Sequence, residues 1–347
     1  PWLDGLILRG SYNRNLKNDR GTQIGTKYQT YTFTRAGDNG HIYDLATDPK
    51  AVTFSNGNRV YFSNAAGSNY QVNFTATYDK QWKKHNFSGL FSVEKAEANS
   101  SQEDVWKDDP LATTNGQFNT AFGAVSGRTA AYESGTLGYV GRLNYRYGNK
   151  YLGEILIRSD ASTKFAPENY WGNFYNVSAG WVISEESFFH SNAINYLKLR
   201  LSHGKLGNDQ TAAWGWLQRY TYQQGKGGVF GENNNSIDAS TGLKMEKSPN
   251  RNATWANEYK NNIGIDARFL DSRLSATIDG YYNKGYDLLV IRTGNIPVSV
   301  GGSVAAENYG RKNTFGYEFE LGWQDKVNEV NYGISTRFSW SNDKVIL

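Results

Sequence analysis

The side chains that could perform acid–base catalysis do not form a catalytic arrangement in this sequence. Glu185 and Glu186 are adjacent carboxylates, and a carboxylate pair can serve as general acid and general base. Neighbouring positions of a strand or turn point apart, however, and this pair lies in a predicted turn before Phe188 and Phe189. No arrangement of Ser, His and Asp indicates a hydrolase triad either. We therefore predict that the protein is not an enzyme.

Metal and cofactor sites are not supported by the residue spacing. The histidines His41, His85, His190 and His203 lie far apart, without the spacing of a zinc motif, and cysteine is absent. The glycine-rich run 225–228 lacks the Gly-Lys-Ser/Thr ending of a phosphate-binding loop. We predict no metal site and no cofactor.

Aromatic residues within polar stretches are the best candidates for ligand contact. Aromatic rings stack on sugar rings and also anchor protein partners, and Trp214 and Trp216 flank a single glycine. Anchoring at a membrane interface explains any one of these residues at least as well, and Trp171 follows a strand pattern. The candidate substrate or partner contacts are Trp106, Tyr170, Trp214, Trp216, Tyr220 and Tyr222.

Composition favours a protein built from strands. Its 347 residues include 37 glycines, only 6 prolines and 15% aromatic residues. Glycine and the aromatic residues are poor helix formers, whereas Tyr, Phe and Trp favour strands. The mean hydropathy is −0.65, and no apolar run of about 18 residues predicts a membrane-spanning helix. A membrane barrel remains compatible with this, because its strands are apolar on one face only.

The charge pattern argues against a nucleic-acid partner. The net charge of +4 comes from 37 basic and 33 acidic residues spread along the chain, and the longest basic cluster is Lys83-Lys84. That cluster is too small for a nucleic-acid footprint.

The chain opens at Pro1 without signal-peptide features and ends within a strand-like run. We interpret both ends as cuts and expect an internal piece of a longer protein.

Period-two alternation is the dominant pattern and predicts antiparallel strands. Leu143, Tyr145 and Tyr147 face one way, for example, while Arg142 and Arg146 face the other. Charged residues on the second face fit a hydrated lumen, and aromatic residues at strand ends are typical of the interfacial girdles of outer-membrane barrels. The predicted girdle residues are Tyr147, Tyr151, Trp181, Tyr282, Trp323 and Trp340.

Connection lengths predict an incomplete transmembrane barrel. Short links alternate with the long polar stretches 13–69, 96–133, 207–257 and 285–313, as in barrels with periplasmic turns and extracellular loops. Eleven strands are predicted, at 3–12, 70–79, 85–97, 134–147, 150–160, 172–183, 196–206, 258–269, 272–284, 314–324 and 329–340. Because unpaired edge backbone is costly in lipid, we expect the remaining strands in the parent protein.

Several motifs resemble the barrel of SusC/RagA-type TonB-dependent outer-membrane transporters. They are YLGEILIRSDASTKF (151–165), WG (171–172), VSAGW (177–181), ISEESFF (183–189), LKLRLS (197–202), GKLGN (204–208), NIGID (262–266), RLS (273–275), DGYYN (279–283), NYG (308–310), GYEFE (316–320) and FSWSN (338–342). The resemblance covers 137–347 closely and 1–136 more weakly. Two departures concern local register: Trp255 is followed by Ala256 where the family usually has an acidic residue, and the stretch 312–315 is one residue longer than usual.

The resemblance implies that residues 1–347 are part of one barrel domain, an arc of about 11 strands from a plugged, 22-stranded barrel. The N-terminal plug, the TonB box and the other strands would lie outside this chain. It implies a multi-pass β-barrel in the outer membrane of a Gram-negative bacterium that imports a bulky nutrient, an oligosaccharide or a peptide. The implied partners are a SusD-like surface lipoprotein, TonB and outer-membrane lipid.

Two other functions remain open at this level. The same barrel could serve a siderophore or vitamin receptor, which a neighbouring gene for a SusD-like protein would argue against. A soluble β-rich carbohydrate-binding or adhesive module is the other alternative. That module would have a dry core between two sheets and would be extracted into buffer without detergent.

Overall fold

The computed structural model describes residues 4–32, 34–36, 42–44, 50–111, 116–223, 226–228, 241–291 and 304–346. Strands dominate these residues, and no α-helix occurs among them. Within this described part, no helix has the length and apolar character needed to cross a membrane. The predicted all-β fold class is confirmed.

Eleven long strands form one antiparallel sheet in which neighbours in the sheet are also successive long strands of the chain. They are β1 Leu6–Ile24, β6 Arg59–Trp82, β7 His85–Asp108, β8 Val125–Tyr147, β9 Tyr151–Ser162, β10 Trp171–Val182, β11 Ile194–Asn208, β14 Ala256–Phe269, β15 Leu274–Val290, β16 Glu307–Val327 and β17 Val330–Ile346. The predicted number of strands and their order along the chain are confirmed.

Shorter elements lie in the connections between the long strands. Three antiparallel pairs are formed by β2 Lys27–Thr32 with β5 Lys50–Ser55, β3 Thr34–Ala36 with β4 Ile42–Asp44, and β12 Tyr220–Gln223 with β13 Gly242–Met245. Single 3₁₀ turns occur at Phe118–Thr120, Pro167–Asn169 and Ile183–Glu185. The predicted loops thus contain regular structure that side-chain alternation did not reveal. Parts of all four loops, including 112–115, 229–240 and 292–303, lie outside the described residues.

The chain forms two compact units. Unit 1 comprises Pro1–Tyr12, Gln71–Ala96 and Ser134–Leu347, and unit 2 comprises Asn13–Tyr70 and Glu97–Glu133. Strands β1, β6, β7 and β8 contribute residues to both. The single barrel domain over 1–347 stays a prediction.

The strand register of unit 1 separates an apolar face from a polar face. Residues paired directly across antiparallel strands share a face of the sheet. One row, which defines the apolar face, reads Tyr147, Tyr151, Trp181, Leu199, Ile265, Ile278, Phe319 and Phe338. The adjacent row, which defines the polar face, reads Arg146, Leu152, Gly180, Arg200, Gly264, Asp279, Glu318 and Ser339.

The apolar face is open over its whole width. Ile157, Ile263 and Ile334 on this face are 58%, 52% and 73% exposed, respectively. A soluble protein rarely leaves such a continuous apolar surface uncovered, whereas the outer surface of a membrane barrel requires one. The alternation predicted from the sequence therefore holds strand by strand in unit 1.

Strand ends are where the structure departs from the sequence prediction. β1 extends to Ile24, β6 begins at Arg59, β7 extends to Asp108 and β8 begins at Val125. These extensions lie in the stretches 13–69 and 96–133, which were predicted to be loops. The extensions lack a long run of alternating apolar residues, so the period-two pattern ends before the backbone hydrogen bonding does.

The link between β14 and β15 is a tight turn with unusual backbone angles. Leu270, Asp271 and Ser272 have φ values of 54°, 56° and 66°, a left-handed conformation that residues other than glycine seldom adopt. The Leu270 N–H donates to the Ala193 carbonyl oxygen at 3.1 Å, and the Ser272 N–H donates to Asn195 Oδ1 at 3.1 Å. Hydrogen bonds that the turn donates to Ala193 and Asn195, at the start of β11, therefore hold it in place.

Charged substitutions on the two faces of β15 provide a test of their environments. Ile278 is 49% exposed on the apolar face. Thr277, the residue before it, lies on the polar face. We expect Ile278→Lys to destabilise the folded barrel by about 2–4 kcal/mol, the cost of a lysine near the middle of the lipid layer. Heat-modifiability of the full-length protein in outer-membrane fractions measures the folded amount. Thr277→Lys is the matched control, and an equal loss of folded protein in both variants would contradict the assignment of the faces.

Candidate functional site

The polar face of unit 1 is centred on an arginine shared by two aspartates. Arg200 contacts Asp266 through Nε at 2.8 Å and Nη2 at 2.9 Å, and Asp279 through Nη1 at 3.0 Å and Nη2 at 2.9 Å. Both contacts are bidentate, which is the strongest arrangement for a guanidinium and a carboxylate. Gly264 lies between Arg200 and Asp279 in the register. A Cβ there would lie 2.7 Å from the Arg200 guanidinium carbon, so the glycine makes this contact possible.

A second network of the same kind lies on β7 and β9. Arg158 contacts Glu94 at 3.1 Å and Asp160 at 2.9 Å and 3.1 Å. These side chains are each between 19% and 38% exposed, so the charges are partly withdrawn from solvent. The polar face thus holds its acidic and basic groups largely in mutual pairs.

A cavity of about 750 Å³ opens in unit 1 along the polar face. Its lining includes hydrogen-bonding groups from β8, β9, β11 and β14, which are Asn144, Glu154, Lys198, Arg200, Ser202 and Asn262. These groups offer both donors and acceptors, as a hydroxyl-rich or amide-rich ligand requires. They include no histidine or cysteine that could act as a base or a nucleophile.

An aromatic cluster is built where the segment after β9 folds back on the sheet. Phe165 is fully buried, and Phe174 and Trp255 are 8% exposed. The Trp255 ring lies 5.5 Å from Phe165 and 5.2 Å from Phe174 between centroids. Tyr170, a predicted contact residue, is half-buried against this cluster, and its carbonyl oxygen accepts a hydrogen bond from Trp255 Nε1 at 3.0 Å. The structure therefore gives Tyr170 a packing role.

An aspartate holds the segment that carries Phe165. Asp209 accepts a hydrogen bond from the buried Ser162 hydroxyl at 2.8 Å and forms an ion pair with Lys164 at 3.3 Å. Both partners lie in the 151–165 motif quoted above. This motif thus supplies a side chain for the cluster and the two side chains that tie the segment to the end of β11.

Of the predicted pair Trp214 and Trp216, Trp216 lies against an ion pair. Arg251 lies over the Trp216 ring at 5.5 Å from the centroid, and Glu168 accepts two hydrogen bonds from Arg251 at 2.6 Å and 3.1 Å. The backbone N–H of Glu168 and the Arg251 guanidinium hold the pKa of the Glu168 carboxyl below its usual range. Both tryptophans are half-buried, so only part of each ring is available to a ligand.

Tyr220 and Tyr222 are the most open of the predicted contact residues in unit 1. They lie on one face of the β12–β13 hairpin, opposite Met245 and Leu243. Tyr222 is 83% exposed and Leu243 65% exposed. Rings with this exposure can be covered by a ligand or a partner without rearrangement of the hairpin.

Trp106 belongs to a cluster in unit 2 that the sequence analysis identified only in part. Its ring centroid lies 6.2 Å from that of Tyr61, and the guanidinium carbon of Arg59 lies 4.9 Å from the Tyr61 ring and 5.7 Å from the Trp106 ring. Asp104 accepts a hydrogen bond from Arg128 Nε at 2.7 Å. That hydrogen bond is the main cause holding the pKa of Asp104 below its usual value.

A sequence signal for this cluster does exist. Arg59 and Tyr61 are two residues apart, as are Asp104 and Trp106, and residues at this spacing share a face of a strand. Both pairs lie in the stretches 13–69 and 96–133, which were predicted to be loops, so the shared face was not predicted.

Three predicted girdle residues meet at the turn end of β8, β9 and β10. Tyr147 pairs with Tyr151, which in turn pairs with Trp181. Glu186 accepts hydrogen bonds from Lys150 Nζ at 2.9 Å, the Tyr151 hydroxyl at 2.5 Å and Trp181 Nε1 at 3.1 Å. These contacts, with the tyrosine contributing most, lower the pKa of the Glu186 carboxyl to about 2. Glu186 therefore fixes the orientation of two aromatic rings.

The other three predicted girdle residues lie on β15, β16 and β17. Trp323 pairs with Leu274 near the turn, while Tyr282 lies eight residues beyond Leu274 on β15. At about 3.3 Å per residue this is about 26 Å along the strand, and a strand tilt of about 40° reduces it to about 20 Å across a bilayer. Trp340 stacks on Tyr317 with centroids 5.7 Å apart. Their interfacial role stays a prediction.

No metal centre is formed by the described residues, in which no three His, Asp or Glu side chains gather as a site would require. His41 and Gly225, which were considered for metal or phosphate binding, lie outside the described residues. His85 donates to or accepts from the Tyr145 hydroxyl at 2.9 Å and lies among aromatic rings.

Removing the shared arginine tests the charge network of the polar face. The side chain of Arg200 is 32% exposed, and Arg200→Gln leaves two aspartates without their cation. We expect a loss of about 2–3 kcal/mol in the free energy of unfolding, measured by denaturant titration of the full-length protein in detergent. Arg337→Gln is the matched control, because the Arg337 side chain, paired with Glu320, is 79% exposed and should lose less than about 1 kcal/mol. Equal losses would contradict a special role for Arg200.

Acid should remove the contribution of Glu186. Its pKa falls from the usual 4.5 to about 2 on folding, so its stabilising effect is fully present above pH 4.5 and is lost as the pH falls towards 2. We expect the difference in thermal midpoint between the native protein and Glu186→Gln to be largest above pH 4.5 and to vanish near pH 2. A difference that does not change with pH would exclude the carboxylate as its source. Glu185→Gln serves as the neighbouring control.

Comparison with known proteins was made in sequence and in structure. No protein-family model matches the chain. TonB-dependent receptor P26 of Formosa agariphila is 25% identical over 344 residues, which is 98% of this chain and 32% of that receptor. TonB-dependent receptor SusC of Bacteroides thetaiotaomicron is 30% identical over 214 residues, which is 60% of this chain and 20% of SusC. The chain therefore spans a third or less of the length of these relatives.

A solved structure shows the same fold. The RagAB peptide transporter superposes with a TM-score of 0.77 at 19% identity, covering 99% of this chain and 35% of the matched chain. At this identity the match establishes the fold alone. The curated relatives are named as receptors, and none is named as an enzyme.

The eleven-strand antiparallel sheet with its apolar and polar faces, the sequence similarity and the shared fold confirm the predicted resemblance, and the chain is similar to TonB-dependent receptors, SusC among them.

Proposed function

We propose that this chain forms part of the wall of an outer-membrane transporter that imports a bulky nutrient, a glycan or a peptide, with energy supplied through TonB. The observation that carries the proposal is the pair of faces on one sheet. An open apolar face suits lipid, and a polar face with paired charges suits a hydrated lumen. Similarity to TonB-dependent receptors over 98% of the chain supports the same conclusion.

The chemistry of the polar face suits passage more than reaction. Arg200 and Arg158 are each held by two carboxylates, so a passing ligand meets hydrogen-bonding groups whose charges are already compensated. Compensated charges do not hold a ligand as strongly as an unpaired ion would. The wall therefore offers weak, distributed contacts, and we propose no catalytic step.

We propose the partners of the protein from its similarity to TonB-dependent receptors. A SusD-like surface lipoprotein would close over the outward-facing loops, and TonB would act through a segment outside this chain. The apolar face would contact the outer-membrane lipid of a Gram-negative bacterium. Ligand capture between loops and lipoprotein, followed by displacement of a plug, would move the cargo inward.

The two alternative functions fit less well. A soluble carbohydrate-binding module would need to cover residues such as Ile157 and Ile334, which are 58% and 73% exposed. A siderophore or vitamin receptor shares the barrel, but the relatives include SusC, and the RagAB peptide transporter is among the solved structures with the same fold.

Uptake by cells tests the proposed function directly. We expect a labelled oligosaccharide or peptide mixture to enter cells that carry the full-length protein, TonB and the lipoprotein. Uptake should fall to background when the gene for any one of the three is deleted, because an energised plug and a closed mouth are both required. A small solute that crosses by general porins is the control and should be unaffected.

Reconstitution separates gating from simple diffusion. Full-length protein in proteoliposomes, without TonB and without the lipoprotein, should not pass large substrates. Free passage in this assay, or cellular uptake that persists without TonB, would refute the proposal.

A further inference from the structure

Arg59 in unit 2 is a cation with no anionic partner among the residues that the structure describes. Its guanidinium lies over the rings of Tyr61 and Trp106, at 4.9 Å and 5.7 Å from their centroids. Among the described residues no carboxylate lies within ion-pair distance of it, and its Nε is buried without a hydrogen-bond acceptor. By contrast, Arg158 and Arg200 in unit 1 each bind two carboxylates.

A local network of hydrogen bonds fixes the backbone around Arg59. Asp109 Oδ1 accepts from Asn58 Nδ2 and from Lys27 Nζ, at 2.5 Å and 3.0 Å. The Asp109 N–H donates to the Asn58 carbonyl oxygen at 3.1 Å, and the Arg59 carbonyl oxygen accepts from the Gly25 N–H at 2.9 Å. The start of β6 is thus held in place, and with it the base of the Arg59 side chain.

The acid nearest to the two rings is already engaged. The Asp104 side chain is fully buried and binds Arg128 at 2.7 Å and Gln102 Nε2 at 3.1 Å from both of its oxygens. With Asp104 neutralised by Arg128, the positive charge of Arg59 remains uncompensated on this face. An arginine held against aromatic rings also loses little freedom when it binds an anion.

We propose that Arg59, Tyr61 and Trp106 form a binding subsite for an acidic sugar unit, a pyranose that carries a carboxylate or a sulfate group. The planar guanidinium binds such groups through two parallel hydrogen bonds. Aromatic side chains next to it supply apolar surface for the face of the sugar ring. The inference rests on the proposed import function and specifies acidic oligosaccharides as its cargo.

Binding measurements on the purified full-length transporter test this subsite. The probe is oligogalacturonate, and a malto-oligosaccharide of matched length is the neutral comparison. We expect Arg59→Gln to weaken oligogalacturonate binding by about tenfold to a hundredfold, the usual effect of losing a hydrogen-bonded charge, and to leave malto-oligosaccharide binding unchanged. Arg59→Lys, which keeps the charge and loses the planar fork, should lie between the native protein and Arg59→Gln.

Matched controls separate binding from folding. Arg14→Gln removes an exposed strand arginine of the same unit and should leave both affinities unchanged. The thermal midpoint of each variant shows whether the fold is retained, and the selective loss of the acidic ligand is a readout that misfolding would not produce.

Three outcomes of the binding measurements would overturn the subsite. They are equal binding of oligogalacturonate by the native protein and Arg59→Gln, equal loss of the acidic and neutral ligands, and binding of an acidic peptide in preference to the acidic sugar. TonB-dependent uptake of the neutral sugar alone would refute the subsite and leave the proposed function standing. Absence of any TonB-dependent uptake would refute both.

Discussion

Backbone hydrogen bonding between strands determines the architecture of this protein. A strand that faces lipid cannot leave its N–H and C=O groups to water, so every strand must pair with neighbours on both sides. In this chain successive long strands pair with each other, the sheet order follows the chain order from β1 to β17, and β1 and β17 form the two edges of the sheet. Side chains are then free to differ between the two faces, which is how one sheet can separate an apolar environment from an aqueous one.

The arginine side chains described in the two units have different partners. On the polar face of unit 1, Arg158 and Arg200 are each shared between two carboxylates, and a glycine at 264 provides the space that Arg200 needs. In unit 2 one carboxylate, Asp104, is satisfied by Arg128, and Arg59 lies on aromatic rings instead. The charges of Arg158 and Arg200 are compensated by carboxylates. Arg59 has no carboxylate partner among the described residues, and its fixed backbone suits it to bind a ligand.

Much of the fold could be predicted from the sequence because alternation is a local property. The side-chain faces of β8, β9 and β14 follow from the types of successive residues alone. The extensions of β1, β6, β7 and β8 could not be predicted in this way, because their alternation of apolar residues is weak and only hydrogen bonding defines them as strands. The contacts of Glu186 with Lys150, and of Arg59 with Trp106, join residues 36 and 47 positions apart. Single-sequence patterns do not show which distant residues are in contact, so the packing of Arg59 on Trp106 was not predicted.

The packing of Arg200 against Gly264 and Asp279 has an evolutionary consequence. Any side chain larger than hydrogen at 264 would displace the guanidinium, and an arginine at 200 without the acid at 279 would lose half of its hydrogen bonds. The three positions, on three successive strands of the sheet, therefore cannot drift independently. Homologues should either retain all three residues or replace them together, so that a correlated change among them in an alignment would report the geometry of the wall without any structure.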